Sequence, residues 1–221
     1  MYALVVRQML ALRSVPRDAI VAAVLASYAA AALGALQGWP LWAIVLGTLL
    51  PWSPIITRET VFLGIRYGWL ALFYVLTLTQ TGHLLEHVAQ MAQIHILGIA
   101  PRSAHGVFGA LDVEWVHFPW NAGVAVAALL LVRVFHRNPW LWLVLAIAVW
   151  HGIEHSYILS VYLATGTAGT PGFLARGGIL GGGSPLLRPD LHFLYNLVET
   201  LPLVMAFLHQ YVRAHVVGLD R

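Results

Sequence analysis

Two strings of one pattern, His83-Leu84-Leu85-Glu86-His87 and His151-Gly152-Ile153-Glu154-His155, set two imidazoles and a carboxylate inside strongly apolar sequence. Imidazole and carboxylate are the side chains that hold iron, zinc, copper and manganese. A helix brings positions i, i+3 and i+4 to one face, so each string presents both His and its Glu together. Each is followed, after a Gly-rich stretch, by a second signal: His117-Phe118-Pro119-Trp120-Asn121 and His192-Phe193-Leu194-Tyr195-Asn196. On the later helix His192, Asn196 and Glu199 form one stripe with Tyr195 at its edge. On the earlier helix only His117 and Asn121 do so, because Val124 stands where Glu199 would match.

Six histidines (His83, His87, His117, His151, His155, His192) and three carboxylates (Glu86, Glu154, Glu199) are too many ligands for one ion of four to six coordination. They suit two transition-metal ions, iron before copper or zinc, each taking one His-x-x-Glu-His pair plus one His from the next helix. Ligands projecting from facing helices are how di-iron carboxylate sites are built. Glu199 bridges the ions or relays protons, and Glu199, Glu86 and Glu154 are the candidate catalytic carboxylates. Gln90, Asn121, Asn196 and Tyr195 stand where they would orient ligands rather than bind metal. The expected function is a non-haem oxidoreductase acting on an apolar or lipid-phase substrate, with oxygen activated at an open position between the ions. The alternatives are a haem-binding electron-transfer subunit, a proton or metal-ion transporter, and a hydrolase using two zinc ions.

The repeated string resembles the inverted zincin motif of metalloproteases, in which two His bind zinc and the Glu is the base. Here it occurs twice and within apolar spans, unlike that soluble context, so no residue role is carried over.

The elements that must position these groups are membrane helices. Of 221 residues 60% are hydrophobic and 10% charged, against about 25% charged in soluble domains, which points to an integral membrane protein. The chain has no cysteine, which excludes thiolate metal sites and iron–sulfur clusters. All twelve basic residues are Arg, which excludes a Schiff-base lysine. No basic cluster with interleaved aromatics points to nucleic acid. An all-α, polytopic fold of six transmembrane helices is expected, at about 19–36, 41–56, 69–97, 115–134, 139–164 and 190–212. Pro51 and Pro54 interrupt the second span, and Arg58, Glu59 and Arg66 mark a water-facing segment after it.

The second His string begins 68 residues after the first (His83 to His151), and the trailing signals align after a loop insertion. This predicts a parallel two-helix internal repeat, spans three and four against five and six, with Gly106-Val107-Phe108-Gly109 matching Gly178-Ile179-Leu180-Gly181. The chain is then one membrane domain, 1–221, made of two N-terminal spans (1–66) and repeat units 67–137 and 138–221. With six spans, nine Arg fall on one side and Arg102, Arg176 and Arg188 on the other. The positive-inside rule makes the nine-Arg side, with both termini, the cytoplasmic face of a bacterial-type inner membrane. The polar clusters then share one level near the extracytoplasmic leaflet, beneath loops 98–114 and 166–189. A lone membrane histidine is usually interhelical glue, worth about 0.6–2 kcal/mol. Each charge at mid-membrane costs about 2.5–3.5 kcal/mol, so a convergence on this scale argues for function. Asp112, Glu114 and Asp190 border the expected site. The lipid bilayer is the one certain partner, and an oxidase of this kind needs an external electron donor.

Overall fold

The computed structural model describes residues 15–109 and 114–216. Arg7, Arg13, Asp112 and Arg221 lie outside the described residues, as do the side chains of Arg66 and His215. Among the described residues the chain is helical, with no strand. Its α-helices are α1 (Arg17–Leu36), α2 (Leu41–Leu49), α3 (Ser53–Tyr67), α4 (Leu70–His95), α5 (Glu114–Val134), α6 (Pro139–Thr165) and α7 (Arg188–Val216). The described residues fall into two compact units, one within 15–74 and 211–216 and one within 75–210.

In the first unit a 3₁₀ turn, Leu50–Trp52, joins α2 to α3. Helix was expected to stop at Ile56, yet it runs on to Tyr67, and Arg58 and Glu59 lie on it. Pro51 and Pro54 do not break it. Each stands at the first positions of the segment it opens, where a missing N–H costs nothing. The Ser27 hydroxyl, on α1, lies 2.7 Å from the Thr48 carbonyl and accepts the Trp52 indole N–H at 3.0 Å.

The second unit is organised by four inward stripes with alternating three- and four-residue spacing, the period of helices packed side by side. They are Leu76, Gln80, His83, His87, Gln90 on α4; Glu114, His117, Asn121, Val124, Ala128, Leu131 on α5; Leu141, Val144, Ala148, His151, His155, Ile158 on α6; and His192, Asn196, Glu199, Leu203, Ala206, Gln210 on α7. The polar part comes late on α4 and α6 and early on α5 and α7, so helices of alternating direction carry their polar segments to one level. Below it the stripes turn apolar. Ala128, Ala148 and Ala206 are buried there, and small residues let membrane helices approach closely. Asn138, in the α5–α6 turn, donates to the Ala206 carbonyl at 2.8 Å and ties that turn to α7.

Five helical stretches are long and apolar enough to cross a bilayer: Arg17–Leu36, Leu41–Ile65, Glu114–Val134, Pro139–Thr165 and Arg188–Arg213. Helix α4 is as long, with 26 residues, but its second half carries the Gln, Thr, His and Glu residues of the first motif and lowers its hydropathy.

Candidate metal centre

The six expected histidines meet in one cluster. His192 is its hub: its ring centroid lies 4.4 Å from His87, 4.9 Å from His155, 5.0 Å from His151, 5.1 Å from His117 and 6.3 Å from His83. His117 stacks on His155 at 5.6 Å with the rings nearly parallel. Among the described residues two groups bring their ligand atoms within 4.8 Å of one another: His83, His87, His117 and His192, and His151, His155 and His192. His192 belongs to both groups, whereas the expected partition gave it to the second ion alone.

Within each motif the two Nε2 atoms face each other, at 3.3 Å for His83–His87 and 3.2 Å for His151–His155. Two nitrogens about 2.05 Å from a shared ion in tetrahedral geometry lie about 3.3 Å apart, so both pairs have the span of a two-point metal clamp. One ring of each pair is also held by the far nitrogen, as metal-binding histidines are. His87 Nδ1 lies 3.2 Å from Gln90 Oε1, and Gln90 Nε2 donates to the Ala104 carbonyl at 2.7 Å. That carbonyl can only accept, so the amide oxygen faces His87, Nδ1 carries the proton and Nε2 keeps its lone pair. His151 Nδ1 donates to Glu199 Oε2 at 3.0 Å, with both side chains fully buried, and the same tautomer follows. One ring is therefore oriented by a neutral amide and the other by a carboxylate. His155 Nδ1, His192 Nε2 and Glu199 Oε1 are buried without a hydrogen-bond partner. Buried polar atoms left without a partner call for one the chain does not itself supply, such as an ion or a water.

Glu86 and Glu154 are not in the converging groups. Their carboxylates turn to the loops: Phe108 N–H donates to Glu86 Oε1 at 2.6 Å, and Phe173 N–H to Glu154 Oε1 at 2.8 Å. A glycine leaves room for each carboxylate. A Cβ on Gly106 would stand 2.4 Å from Glu86 Oε1, and one on Gly172 would stand 2.6 Å from Glu154 Oε1. Both glycines have positive φ, +69° and +73°. Gln93 completes the first loop, exchanging two hydrogen bonds with the Gly106 backbone at 2.8 and 2.9 Å. The motif glutamates thus fasten the loops over the histidines. The stretch facing Glu154 is Gly172-Phe173, whereas the stretch matched in sequence to Gly106–Gly109 is Gly178–Gly181. The latter folds back on its own loop, with Ile179 N–H on the Gly172 carbonyl and Leu180 N–H on Phe173. Alanine at Gly106 or Gly172 is expected to cost about 1–3 kcal/mol through backbone strain and displacement of the carboxylate. Alanine at Gly82, Gly123 or Gly152, where a Cβ meets nothing within 4 Å, should be neutral or stabilising. Thermal unfolding of the five variants in detergent checks this contrast.

The expected supporting residues take definite places. Asn121 donates to the His117 carbonyl at 2.9 Å and Asn196 to the His192 carbonyl at 3.0 Å, so each bonds the carbonyl of the His four residues before it. The aromatic three residues after each of these histidines covers the first His of a motif: Trp120 against His83 and Tyr195 against His151, both at 5.2 Å. One residue outside the expected set matters. Gln80, fully buried, donates to Asn196 Oδ1 at 3.2 Å and accepts the Trp120 indole N–H at 3.0 Å. Its place on the α4 stripe, three residues before His83, was the available signal. At the mouth of the site Arg188 pairs with the buried Glu114 at 2.6 Å, and Asp190 with His95 at 2.7 Å. These two border carboxylates therefore clamp helix ends rather than standing solvated. No family model, curated protein or solved structure matches this chain.

Proposed function

We propose that the chain is a six-span membrane oxidoreductase whose cluster holds two redox-active ions, one on His83, His87 and His117 and one on His151, His155 and His192. The observation that carries the reading is the twice-repeated 3.2–3.3 Å Nε2 clamp, with the far nitrogen of one ring in each pair held. Copper is placed before iron and zinc. Glu86 and Glu154 are engaged by loop backbone, so an imidazole set remains, and imidazole sites favour copper under the Irving–Williams order. Ions held by these imidazoles would supply single-electron exchange with dioxygen and with an apolar substrate. The chain's part is to fix the imidazoles, hold their tautomers and cover them with two loops.

Helix α4 is taken as the sixth span, its polar residues turned into the bundle. The paired contacts support an internal repeat: Glu86 with Phe108 against Glu154 with Phe173, His83 with Trp120 against His151 with Tyr195, and the two Asn-to-carbonyl bonds. The Arg distribution supports a reading with both termini in the cytoplasm and the cluster towards the outer face of a bacterial-type inner membrane. The ring spacing favours ions over haem, because the six imidazoles touch one another and leave no flat gap for a macrocycle. The apolar stretch of Val144, Ala148, Leu203 and Ala206 beneath the cluster weighs against a through-path for transport.

The test is anaerobic reduction of metal-loaded protein followed by exposure to dioxygen, read by electron paramagnetic resonance and an oxygen electrode. The reading expects reversible loss and return of a metal signal, with oxygen consumed. A redox-silent zinc protein would replace it with the hydrolase, and an intense Soret band with haem.

A further inference from the structure

His192 is shared by the two converging groups, and its ring lies edge-on to rings of both. In the first group it stands 4.4 Å from His87 and 5.1 Å from His117, at interplanar angles of 65° and 89°. In the second it stands 5.0 Å from His151 and 4.9 Å from His155, at 62° and 87°. Among the described residues it alone offers a ligand atom within 4.8 Å of every other member of each group. Its buried Nε2 has no hydrogen-bond partner. Its backbone is anchored, since the His192 carbonyl accepts from Asn196, which in turn accepts from Gln80 on α4. An imidazole has two ring nitrogens, and both can offer a lone pair once the N–H proton is gone. They point away from each other, so one ion cannot take both.

We infer that His192 bridges the two ions as an imidazolate, with one ring nitrogen on each. The inference rests on the two-ion reading and deepens it. The step balances without moving an electron. As the second ion enters, the ring gives its N–H proton to water, and both nitrogen lone pairs become metal bonds; metal binding commonly releases protons in this way. The negative ring offsets part of the charge of two divalent cations, which is costly to hold in an apolar bundle. Group membership then sets the coordination. The first ion has four imidazoles, from His83, His87, His117 and His192, and the second has three, from His151, His155 and His192. Four protein ligands close a site and three leave a position open. Dioxygen is thereby assigned to the second ion, whose His151 is backed by Glu199 at 3.0 Å. Bonds of about 2.0 Å on both nitrogens put the ions about 6 Å apart, and the ring between them couples their unpaired electrons.

The experiment loads the full chain with two equivalents of Cu(II) and compares copper content with the integrated electron paramagnetic resonance at liquid-helium temperature. The bridge expects two coppers per chain, an intensity at least tenfold below two spins, and a half-field signal on warming. Two coppers with two full, independent spins would overturn the bridge and leave the two-ion reading intact. Fewer than two coppers would overturn both. His192→Ala gives the second arm. Alone it should hold about one copper and show its full spin. Added imidazole, which can bridge, should restore both the second copper and the loss of signal. Added 1-methylimidazole, which has one free ring nitrogen, should restore the copper and leave two spins. Equal effects of the two ligands, or no loss of signal with imidazole, would overturn the bridge.

Discussion

Replacing His192 with alanine is expected to take the chain from two bound ions to about one. No other histidine has this reach, because His192 alone belongs to both converging groups. Its loss leaves His151 and His155 as a two-point clamp, below the three protein ligands that catalytic metal sites keep. It also removes the ring that separates the two groups and opens a void among five imidazoles. His117→Ala should differ in kind. It deprives only the first group, where His83, His87 and His192 remain, and should lower occupancy at one ion. Metal content per chain by mass spectrometry, after gel filtration, distinguishes the two. Equal losses in both variants would mean that His192 is not shared.

The second large effect is expected at Glu199. Its carboxylate holds His151 at 3.0 Å with no exposure to solvent, whereas His87 is held by the neutral Gln90. A carboxylate behind a metal-binding imidazole fixes its tautomer and raises its basicity, and removing such a partner lowers metal affinity by about 10–100-fold. Glu199→Gln should therefore weaken the ion at His151 and His155 by that factor and leave the other within about threefold. In the wild-type chain a metal titration should show two classes of affinity, which the substitution brings together or reverses. A merely structural glutamate would behave otherwise. A charge buried in a bilayer is costly, so the metal-free Glu199→Gln protein should unfold no earlier than the wild type. A lower unfolding midpoint with unchanged metal affinities would assign Glu199 to packing.

Much of the site was legible because helical periodicity is strict. The i, i+3, i+4 rule put His83 with His87 and His151 with His155, and the return of His117 and His192 to their level followed from the span directions. The roles of Glu86 and Glu154 were not legible. On a helix these residues share a face with the motif histidines, but whether a carboxylate turns inward or reaches a loop depends on where the loop backbone passes. That path is set by Gly106 and Gly172, whose missing side chains leave the space. The loop match failed at Gly178–Gly181 for a related reason: glycines mark turns without saying what a turn packs against. The helix through Pro51 and Pro54 ran on because proline is harmless at the start of a helical segment, and spacing alone did not show a new segment beginning there. Gln80 was passed over because a single buried amide carries no pattern, although it lies on the same stripe as the histidines.

Two ions on six imidazoles should show in the metal content of the purified chain together with X-ray absorption at the metal edge. About two ions per chain are expected, with nitrogen neighbours at about 2.0 Å, the multiple-scattering pattern of imidazole, and about three imidazoles per ion. A chain that binds no transition metal after loading, or one whose ion is coordinated mainly by carboxylate oxygen, would contradict this arrangement.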